Sequence, residues 1–298
     1  MIQDALPDGF DRLLRGAIDL HVHGRPDVSA QLANRGDDRD VVRLAQAYGM
    51  AGWVLKSHLW ATMDRARALR DATGFAVHGS ITLNPPVGGL EPSVVELAAA
   101  HGARVVFLPT WGSAADVDRD GYISQLLRRA SPSFAEYNSR TAITLLETDG
   151  SLSGRARAVI DACRALGLSL ASGHVSLAES HAVAAYCADI GQRLLITHPL
   201  HYTADLRDLA ATGAWLEFCN APLLHPDGNL TIRQVHEALT TVGPERAVLT
   251  TDVFSRWVPP EPECLRMFLE QLAYLGWTAE QIATMVSTNP RTFLGEPA

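Results

Sequence analysis

Residues 17–24 read Ala-Ile-Asp-Leu-His-Val-His-Gly. The run is short, apolar and partly β-branched, as a buried strand is. Side chains two apart on a strand share a face, so His21 and His23 stand side by side on one wall, where both can hold one metal ion. Asp19 has the same parity and is expected to anchor an imidazole from behind.

The same placement recurs downstream. Lys56 and His58, in Trp-Val-Leu-Lys-Ser-His, repeat the two-residue spacing at the end of another apolar segment. His174 ends Leu-Ser-Leu-Ala-Ser-Gly-His, His198 ends Leu-Leu-Ile-Thr-His, and Asp252 ends Ala-Val-Leu-Thr-Thr-Asp. A carboxylate closing so apolar a run needs a cation or hydrogen bonds. Polar residues at one end of many strands describe a barrel with a site at its rim.

The intervening sequence supports that fold. Strands are expected at 17–23, 53–58, 76–83, 104–109, 168–174, 193–198, 215–219 and 247–252. Helical patterns occupy 38–49, 62–73, 93–101, 154–166, 177–190, 203–211, 231–242 and 262–275. Gly49, Gly74, Gly102, Gly167 and Gly213 follow helical patterns, where a left-handed residue ends a helix. Ser176 with Glu179, and Thr278 with Gln281, fit capping boxes. Eight strand-then-helix units predict an α/β protein, a (β/α)8 TIM barrel, forming a single domain over 1–298. An open doubly wound sheet would carry a glycine-rich turn after its first strand, but this chain has His-Val-His-Gly-Arg-Pro there. Residues 116–150 exceed the simple alternation. A helix at 121–130 and a hairpin turning at Asp149-Gly150 are expected there, as a small insertion over the barrel mouth between the fourth and fifth units.

Composition narrows the function classes. The 298 residues are 47% hydrophobic and 19% charged, with a net charge of −8, which supports a large core and gives no footprint for nucleic acid or an anionic membrane. No signal segment and no run of membrane-spanning length is evident, and the four cysteines are widely spaced. A cytoplasmic protein with reduced thiols and a small-molecule substrate is the expectation. A homo-oligomer is compatible with the sequence.

Each polar strand end has a chemical reading. His21, His23, His174, His198 and Asp252 are candidate metal ligands, with Asp252 and His198 also placed for catalysis. Lys56 has three readings: a neutral buried amine that forms a metal-bridging carbamate, an ammonium that binds a substrate carboxylate, or a snorkelling surface lysine. His58, Trp111, Arg25 and His225 are candidate substrate contacts, Arg25 and His225 for an anionic group and Trp111 as an apolar wall. Zinc suits an imidazole-rich site, and manganese one with more oxygen ligands.

These residues resemble the amidohydrolase superfamily of metal-dependent barrels over nearly the whole length. The likeness rests on His21-Val22-His23, His174, His198, Asp252 and the tail Asn289-Pro-Arg-Thr-Phe-Leu-Gly295. Leu55-Lys56-Ser57-His58 is similar to a Leu-Lys-x-His motif on the second strand of one poorly characterised subgroup. Binuclear members place a carboxylated lysine or glutamate on the fourth strand, and residues 104–110 contain neither. The resemblance implies one or two divalent ions and hydrolysis of an amide, lactam or ester of a small polar molecule by activated water. Non-oxidative decarboxylation or C–C cleavage at a single metal is the alternative. A phosphoesterase ranks third, and a metal-binding scaffold without turnover is the reading from another class.

Overall fold

A computed structural model describes residues 11–29, 36–203, 205–226, 228–255 and 257–297. Its strands are β1 (Ile18–His23), β2 (Gly52–Lys56), β3 (Ala76–Thr82), β4 (Ala103–Phe107), β5 (Ser169–Ala171), β6 (Leu194–Ile196), β7 (Trp215–Cys219) and β8 (Ala247–Thr250). They lie in chain order in one parallel sheet. β8 returns beside β1, where the Asp252 N–H donates to the His21 carbonyl at 3.1 Å. The expected (β/α)8 barrel is the observed one.

Each face of the sheet has its own apolar partners. Ile18, Leu20, Val54, Val105, Phe107, Ala171, Leu195, Trp215 and Val248 form the interior cluster. Phe293, from the final helical segment, packs among them edge-on to Trp215 at 6.1 Å. Alternate residues such as Trp53, Leu55, Leu170, Leu216 and Leu249 face the helices in the larger outer cluster. Barrel strands covered on both faces are buried throughout, which is why they read as continuous apolar runs. The Asn-Pro tail is structural: the Asn289 side chain donates to the carbonyls of Pro244 and Ala247, both at 2.7 Å, and ties the last helix to the start of β8.

Local signals carried through where the backbone alone decides them. Both expected capping boxes form. Gly49, Gly74, Gly102, Gly167 and Gly213 all have φ between 67° and 93°. The strands stop short of the polar residues: β5 ends three residues before His174, β6 two before His198 and β8 two before Asp252. His174, His198 and Asp252 therefore sit on the loops that leave the strands, whereas His21, His23 and Lys56 lie within β1 and β2.

Two expectations need correction. The insertion after β4 is mostly helical, with helices Ala114–Arg119, Tyr122–Ala130 and Phe134–Thr141. The expected hairpin contracts to a single antiparallel bridge, Leu146 to Leu152, and Leu146 lines a surface pocket together with Pro85, Gly88 and Leu90. Asp19 does not face the histidine wall. The pairing of β1 with β2 slips between Asp19 and Val22, and the Asp19 carboxylate bonds the His21 N–H at 3.0 Å and the Thr251 hydroxyl at 2.5 Å. A bulge rotates the chain between Leu20 and His21, so the parity that includes His21 and His23 no longer includes Asp19. Burial pushes the Asp19 carboxyl up to about 6, against those hydrogen bonds.

Candidate functional site

Five imidazoles form a ring around the C-terminal end of the barrel. Successive ring centroids are 5.1 Å apart for His21 and His23, 4.9 Å for His23 and His58, and 5.3 Å for His58 and His174. His174 and His198 are separated by 5.0 Å, and His198 and His21 by 6.3 Å. Four different strand ends contribute, and all five residues are buried.

Asp252 closes the arrangement. Its Oδ1 lies 3.0 Å from His21 Nε2 and 2.9 Å from His23 Nε2. Asp252 and His198 both hold positive φ, 52° and 29°. Residues other than glycine seldom do so, and such backbone is concentrated at functional sites.

The outer nitrogens of three imidazoles are held by carboxylates that the sequence reading did not select. His21 Nδ1 faces Glu217 Oε1 at 2.9 Å, His23 Nδ1 faces Asp27 Oδ2 at 2.8 Å, and His174 Nδ1 faces Asp116 Oδ1 at 3.3 Å. Glu217 comes from the middle of β7 and also accepts from the Thr250 hydroxyl at 3.0 Å and the His198 N–H at 3.2 Å. A charged residue inside Trp-Leu-Glu-Phe-Cys was the available signal. Asp27 lies in a loop and Asp116 in the first turn of a short helix of the insertion, and neither gave one.

Burial and neighbouring charge divide the titrating groups. Burial disfavours the His21 cation, but Asp252 and Glu217 outweigh it and carry its pKa up to about 9. Burial holds His174 down to about 4 and keeps His58 and His198 well below the usual imidazole range. Asp252 is drawn well below the carboxylate range, because His21 and His23 overcome its desolvation. Lys56 is fully buried, its Nζ 2.8 Å from His21 Nε2 and 5.2 Å from the Phe107 ring centroid. That excludes the snorkelling reading, and burial lowers its affinity for a proton.

These residues fit a divalent cation. Ligand atoms of His21, His23 and Asp252 lie within 4.8 Å of one another, as do those of His23, Asp27 and His58. Backing carboxylates hold Nδ1 and leave Nε2 to face the centre, the arrangement seen at histidine metal sites. His198 Nδ1 is buried without a hydrogen-bond partner, an expense for which a ligated ion is one resolution.

A cavity of about 350 Å³ opens from this ring. His58, His174, His198, His201 and Asp252 line it together with Asp116, Arg119 and Asn229, and Tyr122, Ile123, Pro222 and Phe254 are among its apolar lining. His225 stands on its wall, edge-on to Tyr122 and Trp257 at 5.0 and 5.1 Å. Trp111 and Arg25 are not among the lining residues. The Trp111 indole lies behind His58, donating to its carbonyl at 2.7 Å, and packs on Phe134. Arg25 turns to the buried Glu261, at 2.6 Å. A loop arginine near a rim can equally serve the adjacent helix, and sequence does not separate the two.

Comparisons with known proteins agree with the architecture. An amidohydrolase from Pseudomonas aeruginosa superposes with a TM-score of 0.66 at 13% identity, covering 98% of this chain and 99% of that one. The organophosphorus hydrolase from Deinococcus radiodurans gives 0.58 at 17% identity, over 95% and 94%. A mutant of a phosphotriesterase-like lactonase from the same organism gives 0.57 at 16%, over 95% and 97%. At these identities the likeness is one of fold. No curated protein matches the sequence. A family model, described as a family of unknown function (DUF6282), matches residues 16–217. That match spans more than half of the chain, which therefore belongs to the DUF6282 family.

Proposed function

We propose that this protein is a metal-dependent hydrolase that cleaves an ester or lactone bond of a small, partly apolar molecule. The observation that carries the proposal is the convergence of His21, His23 and Asp252, with both imidazoles backed by carboxylates. The solved structures of similar fold include an amidohydrolase, an organophosphorus hydrolase and a lactonase, which supports hydrolysis as the reaction class.

In this reading His21, His23, His174, His198 and Asp252 hold one or two divalent ions, zinc being the best match to so many imidazoles. A bound ion supplies Lewis acidity, lowering the pKa of a water and polarising a carbonyl oxygen. Asp252 accepts the proton of the attacking water and returns it to the leaving oxygen. Asp252 is placed for this task because its Oδ1 stands between the Nε2 atoms of His21 and His23, where the ion would bind. The Tyr122, Ile123 and Phe254 side chains shield the reacting bond from bulk water and seat the apolar part of the substrate. Lys56, buried and depleted of proton affinity, is competent to form a bridging carbamate.

The test is metal analysis of protein purified without chelator, followed by a screen of lactones, aryl esters and amides. Bound zinc with chelator-sensitive ester or lactone hydrolysis is expected. Protein that binds no divalent ion would overturn the proposal. One ion together with turnover of carboxylated substrates only would favour decarboxylation, a reading kept open by the Phe-Leu-Pro-Thr end of β4, which offers no ligand.

A further inference from the structure

His58 belongs to the imidazole ring, but its outer nitrogen is held by different chemistry from that of His21 and His23. A carboxylate facing an imidazole can only accept, so His21 and His23 each carry a proton on Nδ1, and their Nε2 atoms, which face Asp252, are the ones a cation would take in exchange for a proton. His58 Nδ1 instead faces the Thr110 hydroxyl at 3.1 Å, and a hydroxyl can either give or accept.

Asn84 decides between the two. Its Oδ1 accepts the backbone N–H groups of Thr110 and Gly112, at 2.9 and 3.1 Å, which fixes the orientation of the amide. Its Nδ2 must then donate, and it does so to the His58 carbonyl and to Thr110 Oγ1, both at 2.8 Å. The Thr110 oxygen is thus an acceptor toward Asn84 and still has its own proton to place. All three side chains are buried, and the acceptor that proton meets is His58 Nδ1. A neutral imidazole that accepts at Nδ1 carries its hydrogen at Nε2.

We propose that Asn84 and Thr110 hold His58 as the Nε2–H tautomer, and that His58 donates this hydrogen bond to the carbonyl oxygen of the bound ester or lactone. The inference rests on the hydrolase reading of the cavity, which His58 lines. No proton is transferred: the hydrogen stays on Nε2 while negative charge grows on the oxygen it faces. A preorganised donor at that place acts mainly on the transition state. Asn84 and Thr110 are positioning residues, and the ring divides by function, with carboxylate-backed imidazoles as ligands and the hydroxyl-backed one as donor. The rival is that His58 joins His23 and Asp27 as a metal ligand, since their donor atoms fall within 4.8 Å. Asp27, however, is already committed to His23 Nδ1 and to the His58 backbone N–H.

Nitrogen NMR of the zinc-loaded full chain, with 15N-labelled histidine and His58 assigned through His58→Gln, separates these readings. We expect Nδ1 of His58 in the unprotonated range and Nε2 bearing the proton. Thr110→Val should move both signals toward a tautomer mixture without changing the zinc content. His58→Gln keeps an N–H donor and should retain zinc and part of kcat, whereas His58→Ala should lose about 100-fold in kcat with little change in KM. A proton on Nδ1 in the native chain, or loss of zinc from His58→Gln, would overturn the assignment. Absence of any turnover by the native chain would retire the hydrolase reading and, with it, donation to an ester carbonyl, while the tautomer assignment stands or falls on the NMR and zinc content, which are read without turnover.

Discussion

Glu217 Oε1 takes the Nδ1 proton of His21 at 2.9 Å across 196 residues of chain, and its second oxygen takes the backbone N–H of His198 at 3.2 Å. One buried carboxylate therefore orients a candidate ligand on β1 and fixes the backbone of another after β6. Glu217→Gln keeps the shape but replaces one acceptor with a donor that must oppose either the His21 N–H or the His198 N–H, and it removes the charge behind His21. Zinc affinity should fall by about 10–100-fold, as when other carboxylates behind ligating histidines are removed. Competition against a chromophoric chelator measures it. Unchanged affinity would show that His21 is not a ligand held in this way.

Asp252 has a second role that affinity does not report. Asp252→Asn keeps an oxygen for the imidazoles but cannot accept a proton at pH 7. At saturating zinc, kcat should drop by at least about 100-fold, the usual contribution of a positioned general base. A variant with normal zinc content and full activity would remove Asp252 from proton transfer.

The candidate ligands were legible in the sequence and the groups that support them were not, for a physical reason. His21, His23, His174, His198 and Asp252 are polar residues closing apolar runs, a conflict visible within a few positions. The supporting carboxylates are defined only by the fold: Asp116 meets His174 across 58 residues, through an insertion whose helices were mostly unforeseen. Asp19 shows the opposite failure. Its parity with His21 was read correctly from the sequence, and one slip in strand pairing cancelled it. The Asp149-Gly150 turn is real, since the Glu147 carbonyl accepts the Gly150 N–H at 3.0 Å, but only one bridge follows from it. Turn chemistry fixes a reversal and leaves the length of the flanking strands to packing.

Lys56 discriminates between one and two ions. Lys56→Met keeps most of the buried volume and removes the amine. If Lys56 bridges two ions as a carbamate, zinc content falls by one equivalent on substitution, and the native chain shows a bicarbonate requirement for full loading. We expect that loss. Identical zinc content in both proteins would reduce Lys56 to a partner of His21.

His174 gives the metal-free chain a defined acid sensitivity. Burial lowers its pKa from 6.5 to about 4, so the folded state favours the neutral ring. The resulting stability is fully present above pH 6.5 and is lost as pH falls toward 4. Between pH 7 and pH 5 this single group should cost about 2 kcal/mol. Urea denaturation of chelator-treated protein at the two pH values, with and without His174→Gln, isolates the effect. Equal pH dependence in both would mean that His174 is not buried neutral.

Gly173 is required on two counts, and a comparison separates them. Its φ of 66° disfavours any side chain, and a Cβ there would sit 2.3 Å from the Leu108 carbonyl oxygen and 2.6 Å from that of Pro109. Neither oxygen can retreat easily, because both belong to the backbone leaving β4, and the Pro109 carbonyl also accepts the His174 N–H at 3.0 Å. Gly74 has nearly the same φ, 71°, with nothing within 4 Å of a Cβ. Gly74→Ala should therefore cost about 1 kcal/mol, the left-handed penalty alone. Gly173→Ala adds overlap with the backbone, bringing the total to about 3 kcal/mol or more, and it should weaken zinc binding by displacing His174. Urea midpoints and zinc affinity for the two variants test this, and equal stability losses would show that the close approach at β4 is not a constraint.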